Sequence, residues 1–177
     1  MFRGLATWIP TAFLVAVLLI LAVLTHGFTA LPSTYYMTGP SMEPSVSQGA
    51  WFLARPLNGM PARGDLVVMQ LRIDDTLFHV LRRAVGLPGD TVRMVAGQLR
   101  VNGRPAEWPA RIIKPQAERT LDGPVRGTIY NWGPLAVGPD SVFLLSDTRD
   151  MLGWPDSRFL GAVPRERIAE RYLFRLW

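Results

Sequence analysis

The sequence predicts a mainly β domain of short, mostly antiparallel strands, preceded by one N-terminal transmembrane helix. Three observations predict it. An uncharged apolar stretch lies near the N-terminus, short Val-, Leu- and Phe-rich runs recur after it, and Gly-Asp, Pro-Gly and Asn-Gly pairs punctuate those runs. A chain of 177 residues has room for a membrane anchor and one compact core beyond it, so one functional region is expected.

Residues 1–30 form the expected cytoplasmic N-terminus and anchor. From Trp8 to Phe28 the residues are apolar or weakly polar, and Ala12 to Leu24 carry no charge, enough at helical rise to cross the hydrocarbon of a bilayer. Pro10 falls in the first turn, where its missing N–H costs little, and Thr25, His26 and Gly27 mark the exit toward water. A cleaved signal peptide would have a similar apolar stretch, but Phe28-Thr29-Ala30 lacks a small residue at the first position of an A-x-A site, which favours a retained anchor. Arg3 precedes the helix and no Lys or Arg follows until Arg55, so the positive-inside asymmetry places the N-terminus in the cytoplasm and residues 31–177 on the outer face.

Within residues 31–177, Ser33 and Thr34 read as a polar link. Strands are expected over Ala50 to Ala54, Leu66 to Leu71, Phe78 to Val85, Thr91 to Val95, Gln98 to Val101 and Ser141 to Leu145. Ala96-Gly97 and Asn102-Gly103 supply tight turns. The Pro- and Gly-rich stretch at about 105–139, with Trp108 and Trp132, reads as an excursion from the sheet. Pro164 to Leu173 reads as one short helix or helical turn, opened by Pro164 with Glu166 early in it, although Arg165 and Arg167 oppose the dipole preference. There are no internal repeats.

Composition excludes several chemistries. With no cysteine there are no disulfides, thiolate zinc sites or cysteine nucleophiles, and no metal constellation or cofactor motif is visible. The net charge of +5 comes almost wholly from dispersed arginines, Lys114 being the single lysine. That pattern suits anionic lipid headgroups, and no nucleic-acid partner is expected.

The first segment with chemical content is Thr38-Gly39-Pro40-Ser41-Met42-Glu43-Pro44, a turn that leads into the strand after Gln48-Gly49. Such a turn can present a serine hydroxyl, although turn serines more often bond locally. What raises its weight is an ordered series. Arg63-Gly64-Asp65-Leu66-Val67-Val68 comes next, then Leu81-Arg82-Arg83-Ala84-Val85-Gly86-Leu87-Pro88-Gly89-Asp90, then Val101-Asn102-Gly103, then Leu145-Ser146-Asp147-Thr148-Arg149-Asp150 and Asp156-Ser157-Arg158. From Tyr36 to Val163 this set resembles the type I signal peptidase family in its serine box, its G-D-x-V strand, its V-G-L-P-G-D box and its final D-x-R-D…D-S-R box.

The resemblance implies a β-rich fold at the outer face of a bacterial cytoplasmic membrane and a serine endopeptidase that removes signal sequences, using a neutral lysine amine as general base. By position, Ser41 is the nucleophile, and its backbone N–H forms part of the oxyanion hole. Gly39 stands where some members carry a serine, so a backbone donor serves there. Met37, Met42, Val80 and Leu81 line shallow pockets for small residues. Asp147, Arg149, Asp156 and Arg158 are the scaffold of the last box, where charged pairs order the loop. The implied partners are exported preproteins or pilin-like substrates, the lipid bilayer and a larger membrane complex.

Two positions depart from that pattern. Arg82 stands where the family has its lysine, and a guanidinium is held protonated and has no acceptor; even a burial shift of ~5 units leaves it mostly charged at neutral pH. The family's serine that positions the lysine is missing from the interval Met151 to Pro155. Two functions follow from the same residues: an active endopeptidase with an altered base, or a catalytically impaired pseudopeptidase that binds signal-like segments or serves as a subunit of a membrane complex. A deliberate lysine-to-arginine change would account for Arg82 but not for the missing serine. Of other bases, strand alternation turns His79 away from Arg82, His26 ends the anchor, Lys114 lies in the excursion, and Asp147 or Asp150 would require a rearranged loop.

Overall fold

The computed structural model describes residues 8–28, 31–108, 120–149 and 155–177, and divides into two compact units, Met1–Pro32 and Ser33–Trp177. In the first, helix α1 spans Trp8–Phe28, as the apolar run predicts. The side chains described on it, at 11–22 and 24, are all exposed. Among the described residues no helix is long and apolar enough to cross a membrane.

The second unit begins with β1 (Ser33–Tyr36) and β2 (Trp51–Pro56). Ser33 and Thr34 are therefore not a polar link: they pair with Ala54 and Leu53 of β2. Then come β3 (Leu66–Ile73) and β4 (Thr76–Gly86), joined through Asp74 in the left-handed region at φ 51°. β5 (Thr91–Val95) and β6 (Gln98–Val101) occupy their expected ranges, and Ala96-Gly97 and Asn102-Gly103 turn with positive φ at every position, as two-residue hairpins require. β7 (Arg104–Pro105), β8 (Thr120–Asp122), β9 (Arg126–Thr128) and β10 (Asn131–Ala136) follow. β11 (Ser141–Leu145), the short helix α2 (Ser157–Leu160), β12 (Val163–Pro164), a 3-10 turn (Arg165–Arg167) and β13 (Ile168–Arg175) complete the chain.

All pairings are antiparallel. One sheet has the order β1-β2-β13-β3-β4-β11-β12, the other β7-β6-β5-β10-β9-β8. Two expectations are corrected here. The stretch from 105 to 139 is not an excursion, since its described parts supply β8, β9 and β10 of the second sheet. Its periodicity is masked by residues needed for close approach: a Cβ on Gly127 would lie 2.2 Å from the Asn131 carbonyl oxygen, and one on Gly133 2.8 Å from that of Val92. Of the short helix or helical turn expected over Pro164 to Leu173, a single 3-10 turn at Arg165–Arg167 forms, and the residues after it belong to β13. Packing overrides local propensity there, because β13 lies between β2 and β3 and bonds to both.

The two sheets meet where β4 runs into β5. Val85, Val92, Val137, Trp132 and Phe143 form one buried cluster, with the last two rings stacked at 5.5 Å. Gly86 permits this contact: a Cβ there would lie 2.5 Å from Val92 Cγ2. A separate cluster of Met37, Met42, Val46, Phe52, Val68 and Leu81 seats the serine turn on the first sheet.

Candidate active site

Ser41 lies in the turn after β1. The turn is closed by Glu43 N–H to the Pro40 carbonyl at 3.1 Å and Val46 N–H to the Met42 carbonyl at 2.9 Å, and it is pinned by the burial of Met42 and Val46. Thr148, from the loop after β11, clamps it from the other side. Its N–H donates to the Ser41 carbonyl at 3.0 Å, and its hydroxyl donates to the Pro40 carbonyl at 2.6 Å. The sequence reading missed Thr148, and nothing in the sequence signals a contact across more than a hundred residues.

Arg82 approaches from β4. Its Nη1 donates to Ser41 Oγ at 3.2 Å and to the Leu81 carbonyl at 2.6 Å, and the residue is 1% exposed. Burial holds its guanidinium at about 10, below its usual range, against the opposing pull of Asp156 and Asp147; Arg158 pushes it further down. At pH 7 the group is therefore charged, with on the order of one molecule in a thousand neutral. Ser41 Oγ is an acceptor in this pair.

A cleft of about 280 Å³ opens over these two residues. Met37, Val80 and Leu81 line it, together with Tyr36, Phe78 and His79. Met42 is a correction: it is fully buried in the cluster beneath the turn and takes no part in the lining, because the turn directs it into the sheet. Gly39 lies on the wall, and a Cβ there would meet nothing within 4 Å. β11 pairs with β4 at Arg83, Ala84 and Gly86, and on its other side Phe78 to Arg82 pair with Leu71 to Val67 of β3.

Arg83 was not anticipated as part of the scaffold. In a strand it faces away from Arg82, and there its Nε and Nη2 donate to Asp147 Oδ1 and Oδ2 at 2.7 and 2.6 Å. Ser45 Oγ also donates to Asp147, at 2.5 Å, tying the serine turn to the last box. The paired Arg82-Arg83 inside a buried strand was the available signal, since each guanidinium needs its own buried partner.

Asp156 caps α2, accepting from Arg158 N–H at 3.0 Å, from Arg158 Nη2 at 2.8 Å and from Ser146 Oγ at 2.9 Å. Burial would raise its carboxyl, but Arg158, Arg82 and these bonds outweigh it and hold the group at about 2. Arg158 Nη1 donates to the Arg149 carbonyl at 2.6 Å. Arg149 is itself buried, held at about 10 chiefly by that burial, and its Nη1 has no hydrogen-bond partner among the described residues.

Among the described residues, neither His79 nor Asp147 hydrogen-bonds Ser41. His79 is exposed, its ring 5.7 Å from that of Tyr35, and among the described residues it makes no hydrogen bond to Ser41. Asp147 is fully engaged by Arg83 and Ser45. Lys114, Asp150 and most of the Met151 to Pro155 interval lie outside the described residues, as does the side chain of His26.

A family model described as "Signal peptidase, peptidase S26" matches residues 5–177. Signal peptidase I of Leptolyngbya laminosa is 29% identical over 84% of this chain and 70% of its own length. Signal peptidase I of Bacillus licheniformis is 30% identical over 94% of this chain and 86% of its own. That of Bacillus caldolyticus is 30% identical over 82% and 79%, respectively.

Proposed function

The chain belongs to the signal peptidase family, peptidase S26, and from that premise we propose that it is a membrane-anchored serine endopeptidase that removes signal sequences from exported proteins. The observation that carries the reading is Ser41 at the floor of an apolar cleft, 3.2 Å from the side chain at the family's base position. A substrate segment would lie extended in the cleft, with small side chains against Met37, Val80 and Leu81. Ser41 Oγ then attacks the scissile carbonyl, while the backbone N–H groups of Ser41 and Gly39 receive the developing oxyanion.

The membrane setting has its own support. α1 carries Phe13, Leu14, Leu18 and Leu19 exposed in an uncharged run, an apolar surface suited to contact with lipid. Tyr36, Trp51 and Trp177 form a contiguous exposed aromatic group, with ring separations of 5.2 and 6.5 Å, suited to the headgroup region. In this reading the N-terminus is cytoplasmic and the β domain sits on the outer face of a bacterial cytoplasmic membrane.

Proton removal is the step Arg82 limits. A neutral guanidine can accept the Ser41 proton, and the scarcity of that form at pH 7 lowers the rate about a thousandfold relative to a neutral base. One observation favours a second reading: in the dominant charged form Arg82 donates to Ser41 Oγ instead of accepting from it. On that reading the chain is an impaired pseudopeptidase that holds signal-like segments, or a subunit of a larger membrane complex.

The test is incubation of the full chain in detergent with a preprotein carrying a small-x-small site, beside Ser41→Ala and Arg82→Lys. The first reading expects slow cleavage, none with Ser41→Ala, and faster cleavage with Arg82→Lys. Absence of cleavage by the parent with activity in Arg82→Lys selects the second reading.

A further inference from the structure

Thr148 holds the two peptide units on either side of the Ser41 Cα. Its hydroxyl donates to the Pro40 carbonyl at 2.6 Å, and its N–H donates to the Ser41 carbonyl at 3.0 Å. A hydroxyl has one proton, and the 2.6 Å contact takes it in preference to the 3.2 Å approach to the Glu43 carbonyl. With both planes held, rotation about the two backbone bonds of Ser41 is restrained, and so is the direction in which its side chain leaves the backbone. The clamp is itself anchored. Thr148 is fully buried, its neighbour Asp147 is bonded to Arg83 of β4 and to Ser45, and Ser146 Oγ donates to the Thr148 carbonyl at 3.2 Å.

The contact to Pro40 bears on the nucleophile's own N–H. A peptide unit is planar, and in the trans form its C=O and N–H point in opposite directions. The Pro40–Ser41 unit is trans. Drawing the Pro40 carbonyl toward Thr148 therefore turns the Ser41 N–H the other way, and Gly39 and Ser41, on either side of Pro40, line the cleft. The Pro40 carbonyl also accepts from the Glu43 N–H at 3.1 Å. Two donors on one carbonyl polarise the amide and make its N–H a stronger donor in turn.

We infer that Thr148 is a positioning residue for the oxyanion donor: from the loop after β11 it fixes the Pro40–Ser41 peptide so that the Ser41 N–H faces the place where the scissile oxygen gains charge. The inference rests on the reading of Ser41 as the nucleophile and adds the residue that orients its N–H. A purely structural clamp would leave ground-state and tetrahedral species bound in the same ratio. A positioning residue changes that ratio, because the bond to the oxyanion strengthens only as charge develops.

The experiment uses the full chain in detergent and a fluorescent peptide ending in Ala-x-Ala, prepared in two forms. One ends in a boronic acid, whose boron bonds to a serine Oγ to give a tetrahedral anion as the hydroxyl proton passes to solvent. The other ends in a carboxamide and forms no such adduct. Fluorescence anisotropy reads both affinities. The parent should prefer the boronic acid, and Ser41→Ala should remove the preference. Thr148→Val keeps the backbone N–H and leaves the Pro40 carbonyl bonded to Glu43. It should weaken the boronic acid about 10- to 100-fold, less than the loss of a whole oxyanion donor, and leave the carboxamide unchanged. Thr148→Ser returns the hydroxyl and should return the parent's preference. Each variant is checked for folding by near-UV circular dichroism, and Thr148→Ala is read in the same way where valine disturbs the turn. A full preference retained without the hydroxyl, or equal weakening of both peptides, overturns the positioning role and leaves the endopeptidase reading in place. A parent that does not prefer the boronic acid overturns the endopeptidase reading and the positioning role with it.

Discussion

Asp147→Asn tests whether the buried charge cluster holds the serine turn in place. Asp147 is fully buried, accepts two bonds from Arg83 at 2.6 and 2.7 Å and one from Ser45 at 2.5 Å, and lies near Arg82 and Arg149. The amide keeps one acceptor but removes the charge, leaving Arg83 buried without its counter-ion. Removing one partner from such a pair costs about 3–5 kcal/mol, and the retained acceptor places the substitution near ~3 kcal/mol. For a unit of this size each kcal/mol moves the midpoint by ~3 °C, so thermal unfolding of the full chain in detergent should fall by ~10 °C. Replacing both partners, Arg83→Met with Asp147→Leu, should destabilise less than Asp147→Asn alone, because no uncompensated charge remains. A single substitution within ~0.5 kcal/mol of the parent, or a double variant worse than the single one, would refute the reasoning.

Asp156 sets an acid limit. Its folded carboxyl is held at about 2 against an ordinary value of 3.8, so its contribution is fully present above pH 3.8 and is lost as pH falls toward 2. The loss, roughly 2 kcal/mol, should be seen in urea titrations of the parent between pH 4 and 2 and be absent from Asp156→Asn. Gly86→Ala places a methyl 2.5 Å from Val92 Cγ2 and 3.1 Å from Phe143 Cβ, and should cost about 1–3 kcal/mol by overpacking; a variant as stable as the parent would mean the sheets part more easily than described. Gly39→Ser enters open space and should leave the unfolding midpoint unchanged. In an Arg82→Lys background, the added hydroxyl should raise cleavage about tenfold by assisting the oxyanion, and a fall in rate would place the oxyanion elsewhere.

The elements legible in the sequence were those whose local signals agree with their packing. β5 and β6 show alternation over four or five residues and are linked by Ala96-Gly97, so their range could be read without the rest of the fold. β13 could not. Ala169, Glu170 and Arg171 favour a helix, and what makes them a strand is a place between β2 and β3 with Ser33 Oγ donating to Glu170 at 2.7 Å. β8 to β10 were hidden by glycines that admit neighbouring backbone. At the site, the juxtaposition of Ser41 and Arg82 was reached through a family resemblance, since a turn serine and a strand arginine 41 positions apart carry no local mark of contact. Arg83 and Thr148 needed the folded chain, because their partners lie on other elements.

The central claim is that Ser41 chemistry is governed by the protonation of the side chain at position 82, and the pH profile of signal-sequence cleavage tests it most directly. With Arg82 held at about 10, cleavage by the parent should rise about tenfold per pH unit from pH 7 toward 10. Arg82→Lys should already be fast at pH 8 and level off earlier. A parent profile flat from pH 7 to 10, at a rate equal to that of Arg82→Lys, would contradict the account and assign the proton to another group.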